Sequence, residues 1–434
     1  MASLSVQDVE RVQRRTVASL VLVQAVGALG ITIGIATASL LARDLSGSEQ
    51  LAGLAQTFQV LGTAGAAWLL ARLMTRAGRR AGLVAGYLAA ATGAVLAVLA
   101  GRWGSMLVLL GGMMLLGAAT AANNAARYAA TDLAPATTRA RALSVVVWAT
   151  TLGAVLGPNL TGPASSVAKA LAVPEAAGPF VLGAVGLAAA GCLAALVLRP
   201  DPLLLARELE EAESPASPVT SPPVTVPTGG AWHRVVGVVR QQPALLAAVA
   251  GLAAAHATMV SVMVMTPLHM EHGEAGLELI GFVISVHVLG MFAFSPLVGA
   301  AADRWGRPAV MGAGGAVLLV ALVLCALAPA GSSWQIFGGL FLLGLGWSLV
   351  TIAASTLVAD LTPLAERADV QGAADMTMSL GAAGASALAG VVVGTWGYPA
   401  LAGCAAVLAC GVLLAAAGAA RPAPARPRRH AGDR

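Results

Sequence analysis

Charge is scarce in this chain of 434 residues: Asp, Glu, Lys and Arg together make up 10% of it, against roughly 25% in an ordinary soluble domain. Aromatic residues are thin at 4%, lysine occurs once, at Lys169, and there are four cysteines, Cys192, Cys325, Cys404 and Cys410. So little polar material cannot coat a water-soluble globule, which excludes the ordinary soluble classes. All four cysteines fall inside apolar runs, where the default role is small-residue packing, so no disulfide framework is expected. Nucleotide and zinc-protease signatures are missing as well. No Gly-rich loop ends in Gly-Lys-Ser/Thr, and His269-x-x-His272 lacks the glutamate of His-Glu-x-x-His. An ATP-driven pump and a membrane enzyme are therefore disfavoured, no cofactor is expected, and no segment is long enough for the soluble domain of a sensor.

What the chain does contain is apolar residue, 58% of it, with 51 glycines. A membrane span needs about 20 mostly apolar residues, and twelve runs qualify: 17–42, 52–71, 81–100, 105–126, 142–165, 177–198, 243–268, 278–301, 309–330, 334–358, 371–394 and 397–419. Lipid offers no partner to an unpaired amide, so each run is expected to be a helix. The first run is too long for a signal peptide and shows no convincing cleavage site. Of the 25 Lys and Arg residues, all but Arg43, Arg102 and Lys169 fall on one side when both termini are placed inside. That asymmetry predicts a multi-pass inner-membrane protein with cytoplasmic termini. The net charge of +5 is thereby accounted for without nucleic acid, and the basic tail Arg426-Pro427-Arg428-Arg429 reads as an orientation signal or lipid contact.

One long polar segment, 199–242, interrupts the runs. It carries Glu208-Leu-Glu-Glu-Ala-Glu213 and then a Ser/Pro-rich stretch with Pro215, Pro222, Pro223 and Pro227, a composition that reads as a linker. The expected domains are a six-helix bundle over 1–198, the cytoplasmic linker over 199–242, a second six-helix bundle over 243–419 and a basic tail over 420–434. The halves align on a single offset. Adding 228 to the residue number sends Thr75, Arg76, Gly78 and Arg79 to Asp303, Arg304, Gly306 and Arg307, Asp132-Leu-Ala-Pro135 to Asp360-Leu-Thr-Pro363, and Arg139 to Arg367. Agreement of two separated loops on one offset points to internal duplication, a common construction of secondary transporters.

The segment Gly299…Asp303-Arg304-x-Gly306-Arg307 resembles motif A of the major facilitator superfamily, and the resemblance extends over nearly the whole chain. It implies an all-α integral membrane fold of twelve helices in two pseudo-symmetric bundles, alternating access, and a monomer. In that motif an acidic residue and arginines bridge neighbouring helices in one state and release them in another. The first copy, Arg76-x-Gly78-Arg79, has Thr75 in place of the aspartate, so an asymmetric gate is expected. Gly153-x-x-x-Gly157-Pro158-x-x-x-Gly162 resembles motif C, associated with proton-coupled exporters, although Thr161 stands where glycine is usual. Close helix packing explains the same glycines. Asn123, Asn124 and Arg127 are costly at membrane depth. For Arg127 the expected roles are an anionic substrate group or a bridge to Asp132.

Four of the six histidines and five of the thirteen methionines lie within 256–291. His256, Met259, Met263 and Met270 share one helical stripe, and His287 and Met291 share another. Counting depth at about 1.5 Å per residue lets the two sets meet, and thioether and imidazole ligands suit Cu(I). The loop residues His269, Met270, Glu271 and His272 are a candidate capture patch. Met-x-x-x-Met and His-x-x-x-Met resemble the spacings of CcoA-type copper importers, which implies Met259, Met263, His287 and Met291 as metal ligands, with His256 beside them. Relatives of that group look like riboflavin transporters. Two substrates stay open: copper or another soft metal, and a small organic molecule. With no carboxylate near the middle of a run, and Asp375 one turn inside the eleventh, His256 and His287 are the expected proton carriers.

Overall fold

A computed structural model describes residues 5–48, 51, 53–157, 160–213 and 231–421. Among these the chain is helical, without a strand. In the first half lie α1 (Val6–Ser46), α2 (Leu54–Trp103), α3 (Met106–Ala129), α4 (Arg139–Leu156), α5 (Thr161–Ala170) and α6 (Gly178–Val197). The segment between the halves forms α7 (Pro202–Glu213) and α8 (Ala231–Gln241). The second half contains α9 (Pro243–Glu271), α10 (Leu277–Phe292), α11 (Ser295–Trp305), α12 (Arg307–Ala326), α13 (Trp334–Leu361) and α14 (Arg367–Ala419).

Ten of the described helices are long and apolar enough to cross a membrane. The two longest, α2 with 50 residues and α14 with 53, measure about 75–80 Å at a rise of ~1.5 Å per residue, enough for two crossings of a hydrocarbon core of ~30 Å. Each breaks at a glycine with positive φ, Gly78 (φ 85°, ψ 170°) and Gly397 (φ 83°, ψ 173°), a backbone region open essentially to glycine alone. Counting each as two spans gives twelve, in agreement with the hydropathy runs. The repeat offset reappears in the backbone. Gly306, the counterpart of Gly78, has φ 90° and ψ 146° and separates α11 from α12.

Apolar burial divides in the same way. One buried cluster centres on Leu20, Leu83, Leu116 and Leu187 of the first half, the other on Leu252, Leu318, Leu340 and Val412 of the second. The halves meet where α2 packs on α14 and α4 packs on α11. Small residues permit both contacts. A Cβ on Gly372 would strike Ala71, and one on Gly299 would strike Ser144. The offset sends Ala71 to Gly299 and Ser144 to Gly372, so these are one contact made twice, with the glycine on opposite partners.

The described residues of the 199–242 segment, 199–213 and 231–242, are largely helical. Helix α7 buries Leu203 and docks on the first half through Asp201, whose Oδ2 accepts from the Arg80 amide at 2.7 Å and whose Oδ1 accepts from the Leu203 amide at 3.0 Å. Trp232 of α8 meets Trp68 edge-on, ring centroids 5.5 Å apart. Residues 214–230, Pro158, Asn159 and the basic tail from 422 onward lie outside the described residues.

The two glycine breaks differ in surroundings. A Cβ at Gly78 meets the Asp201 carboxylate, whereas one at Gly306 meets open space. Forcing a side chain into either conformation costs about 1–3 kcal/mol. Gly78→Ala and Gly306→Ala are both expected to lower the thermal unfolding midpoint in detergent, Gly78→Ala further. Equal midpoints, or a worse Gly306→Ala, would contradict the docking of α7.

Candidate functional site

The face that carries α7 and α8, called here the linker face, holds a charge network built twice. Asp132 sits in the turn after α3 and is buried to 5% exposure; its carboxylate accepts from Arg79 Nε at 2.7 Å and from Arg79 NH2 at 3.1 Å. In the second half the offset-related Arg307 and Asp360 pair at 3.1 Å. Each aspartate also faces an arginine of the opposite half: Arg367 lies 3.8 Å from Asp132, and Arg139 pairs with Asp360. The offset relates Arg139 to Arg367, so the network has the pseudo-two-fold symmetry of the fold. Arg79 adds a cross-half bond to Gln371 Oε1 at 2.6 Å. Buried charges persist only when paired and hydrogen-bonded, which explains why arginines at 1% and 5% exposure (Arg79 and Arg367) cluster around so few carboxylates.

The signature aspartate has a specific partner. Asp303 accepts from the amides of Ala140 (3.1 Å) and Arg141 (2.9 Å), the first turn of α4, so a carboxylate of the second half caps a helix of the first. Arg307 reinforces it, 3.2 Å from Asp303, and donates to the Ala136 carbonyl. Arg76 and Arg304 are exposed. Thr75 donates instead to the Ala71 carbonyl of its own helix (3.0 Å) and caps nothing.

Among the described residues, one fully buried ion pair joins the halves without a repeat. Arg127, near the end of α3, donates from NH2 to Asp375 Oδ1 of α14 at 2.5 Å, both side chains 4% exposed. The offset counterparts are Ser355 and Val147, so duplication cannot account for the pair. The expected bridge from Arg127 to Asp132 is therefore corrected: Asp132 is taken by Arg79, and Arg127 crosses to the other half. Asp375 also lies deeper than the hydropathy run suggested. Helix α14 begins at Arg367, not 371, placing Asp375 two turns, about 12 Å, inside. Around the pair, Asn124 Oδ1 accepts from Arg127 NH1 at 3.0 Å, the Arg127 guanidinium lies 4.8 Å from the Tyr128 ring centroid, and Tyr87 donates to Asn123 Oδ1 at 2.6 Å. A cavity of about 10 Å³ touches Arg79, Tyr128, Gln371 and Asp375, room for about one water. The buried hydroxyls of Thr258, Thr351 and Ser355 find no hydrogen-bond partner among the described residues.

The methionine and histidine positions separate. His256 Nδ1 accepts from the Trp347 indole at 2.9 Å, and Trp347 also meets Phe292 edge-on at 5.7 Å. Helices α9 and α10 both pack on α13, which carries Trp347. Met259 is buried and Met263 half-buried in the second-half core. His287 is fully buried; its Nδ1 donates to the Leu340 carbonyl at 2.9 Å, and its Nε2 has no partner among the described residues. The same helix pair packs closely at Gly344 of α13, where a Cβ would press on the His287 carbonyl and on the Met291 amide and side chain. In the expected capture patch, His269 instead stacks on Tyr398 (4.2 Å) and donates to the Ala328 carbonyl (3.2 Å), while Met270 is fully buried. Among the described residues no three His, Cys, Asp or Glu side chains gather as a metal group.

The glycine motif on the fifth run serves packing: Cβ atoms on Gly153 and Gly157 would press into Ala28 and Thr32 of α1, and Thr32 Oγ1 donates to the Gly153 carbonyl at 2.9 Å. Gly162 has open space, and Pro158 lies outside the described residues. Sequence reasoning missed Gln371, Trp347, Phe292 and the pairing of Asp375. The only available signal was the rarity of a carboxylate within an apolar helix.

Removing one member of a buried ion pair strands the other, at a cost on the order of 3–5 kcal/mol. Arg127→Ala is thus expected to lower the thermal midpoint strongly, and adding Asp375→Ala to recover part of the loss. Strictly additive losses across this double-mutant cycle would show that the two groups do not pair.

A family description, Major Facilitator Superfamily, matches residues 20–285 and 275–434. The uncharacterized MFS-type transporter YdeG of Bacillus subtilis (strain 168) is 36% identical over 388 residues, covering 89% of this chain and 88% of its own. The riboflavin transporter RfnT of Brucella anthropi is 30% identical over 393 residues, 89% of this chain and 90% of its own. The crystal structure of the human organic anion transporter MFSD10 superposes with a TM-score of 0.67 at 18% identity, covering 94% of this chain and 99% of that one, and shows the shared fold. Twelve apolar spans, a duplicated signature loop and these matches agree: the chain belongs to the major facilitator superfamily, a multi-pass membrane transporter of small solutes and not an enzyme.

Proposed function

We propose that the chain is a secondary active transporter that moves a small polar organic solute by alternating access, coupled to protons through Asp375. The observation that carries this reading is the Arg127–Asp375 pair, the buried ion pair that duplication does not explain. In a low-dielectric interior neither charge is stable alone. Protonation of Asp375 removes the carboxylate and frees the Arg127 guanidinium for a polar or anionic group of the solute. Loss of the proton restores the pair and displaces the solute. Proton and solute thus exchange at one arginine, the requirement for coupling.

The surroundings support an organic cargo. Trp347, Phe292, Tyr128 and His256 offer aromatic faces, and Thr258, Thr351 and Ser355 offer unused hydroxyls, the mixture that recognises a polar ring system. The relationship to a riboflavin transporter makes riboflavin the first probe to try. On the arginine distribution the linker face is cytoplasmic, in the plasma membrane, and its cross-half ion pairs are those of a gate closed on that side. Opening requires Asp303 to leave the first turn of α4 and Arg139 and Arg367 to leave their aspartates.

A second reading, import of Cu(I), rests on His287. Its Nδ1–H is committed to Leu340, which leaves the Nε2 lone pair without a partner among the described residues; Met291 lies one turn on along α10, and His256, Met259 and Met263 lie on α9, which packs on the same α13.

Uptake by proteoliposomes of labelled riboflavin, of small organic anions and of Cu(I) separates the readings. One organic probe is expected to accumulate with a proton gradient, and Asp375→Asn to abolish that dependence. Arg127→Lys is expected to weaken apparent affinity roughly ten- to hundredfold, as for loss of a charged hydrogen bond. Cu(I) accumulation that falls in Met263→Ala and His287→Ala, with no organic probe moving, would overturn the organic reading.

A further inference from the structure

The duplicated gate is incomplete on one side, and a residue from outside the repeat occupies the place. In the second half Asp303 holds the first turn of α4 through the Ala140 and Arg141 amides. The repeat offset puts the corresponding contact between residue 75 and the amides of Ala368 and Asp369, the first turn of α14. Thr75 carries no carboxylate to make it, and its hydroxyl donates to the Ala71 carbonyl of its own helix. At that position Arg207 of α7 spans the junction. Its NH1 donates to the Thr75 carbonyl at 2.8 Å, and its NH2 donates to the Ala365 carbonyl at 3.3 Å, just before α14. We propose that Arg207 is the positioning residue of the first-half gate, standing in for the missing motif aspartate by clamping the two halves through backbone carbonyls. The inference rests on the alternating-access reading above.

The electrostatics agree with the reversed sign. Asp303 meets the amide end of a helix, where negative charge is favoured. Thr75 lies in the last turn before the break at Gly78, and its carbonyl belongs to the electronegative end of that segment, where an arginine is favoured. The guanidinium fork suits two acceptors held at a fixed separation. Helix α7 is anchored to deliver it. Asp201 caps the start of α7 and binds the Arg80 amide, and Gly78 leaves room for the Asp201 carboxylate because it has no Cβ. The linker therefore reads the position of the second half while fixed to the first, and Arg207 must let go of Ala365 when the linker face opens.

Hydrogen-exchange mass spectrometry on the full chain in lipid nanodiscs tests the inference without knowledge of the substrate. Arg207→Ala is expected to raise exchange about tenfold, the effect of losing hydrogen bonds from a charged donor, at residues 72–80, 136–144 and 364–372 together. Exchange is expected to fall at the opposite ends of α1 and α9, residues 40–46 and 264–272, as that face closes. Arg207→Lys, which keeps the charge but not the fork, is expected to lie between, and the exposed Arg240→Ala to match the wild type. Asp303→Asn, which breaks the complete copy, is expected to give the same reciprocal pattern. A change confined to 72–80 and 200–213 in Arg207→Ala would make Arg207 a local docking residue and overturn the inference. If Asp303→Asn shifts both faces and Arg207→Ala does not, the Arg207 inference alone fails. If neither shifts them, the gating reading fails with it.

Discussion

The buried charges of the linker face, among the described residues, are held in pairs, and each carboxylate there faces charge from both halves. Asp132 is held by Arg79 of its own half and faced by Arg367 of the other; Asp360 is held by Arg307 and faced by Arg139. Separating the halves on the linker face therefore exposes charges to water at the moment it removes their partners. Water is what makes the separation possible: a pair that is strong in a low dielectric contributes little once hydrated. In the proposed alternating-access cycle, the same interaction closes the gate firmly and opens it reversibly.

Duplication explains the gate and, by contrast, isolates the site. The ion pairs of Asp132 and Asp360, the glycine breaks at Gly78 and Gly306, and the Gly372–Ala71 and Gly299–Ser144 contacts all occur twice at one offset. Arg127 and Asp375 occur once, opposite Ser355 and Val147 in the repeat. An inherited scaffold is symmetric, whereas cargo recognition has no reason to be. The proposed substrate chemistry falls at positions where the halves disagree: the α3–α14 ion pair and the aromatic group of Trp347, Phe292 and His256 on α13, α10 and α9.

The spans and the repeat were legible because both are local patterns: hydropathy over the length of one membrane crossing, and two loops on a common offset. The degenerate gate at Thr75 was legible for the same reason. Asp375 was not. The first turn of α14 carries Arg367 and Asp369, and these charged residues pushed the apparent helix start inward and made Asp375 look peripheral. Its partner lies 248 residues away, a distance at which no periodicity connects residues. The spacing of His and Met residues predicts shared helix faces, but spacing is blind to what a neighbouring helix brings to them; there the Trp347 indole donates to His256 Nδ1. Composition assigned 199–242 to a linker and could not see that Asp201 and Arg207 tie it to both halves.

The central claim is that Asp375 exchanges its arginine for a proton. Infrared difference spectroscopy of the reconstituted protein during a pH titration addresses it most directly. The account requires a carboxylic-acid C=O band that appears on acidification in the wild type and is absent from Asp375→Asn. A wild-type titration with no such band, or one unchanged by Asp375→Asn, would contradict it.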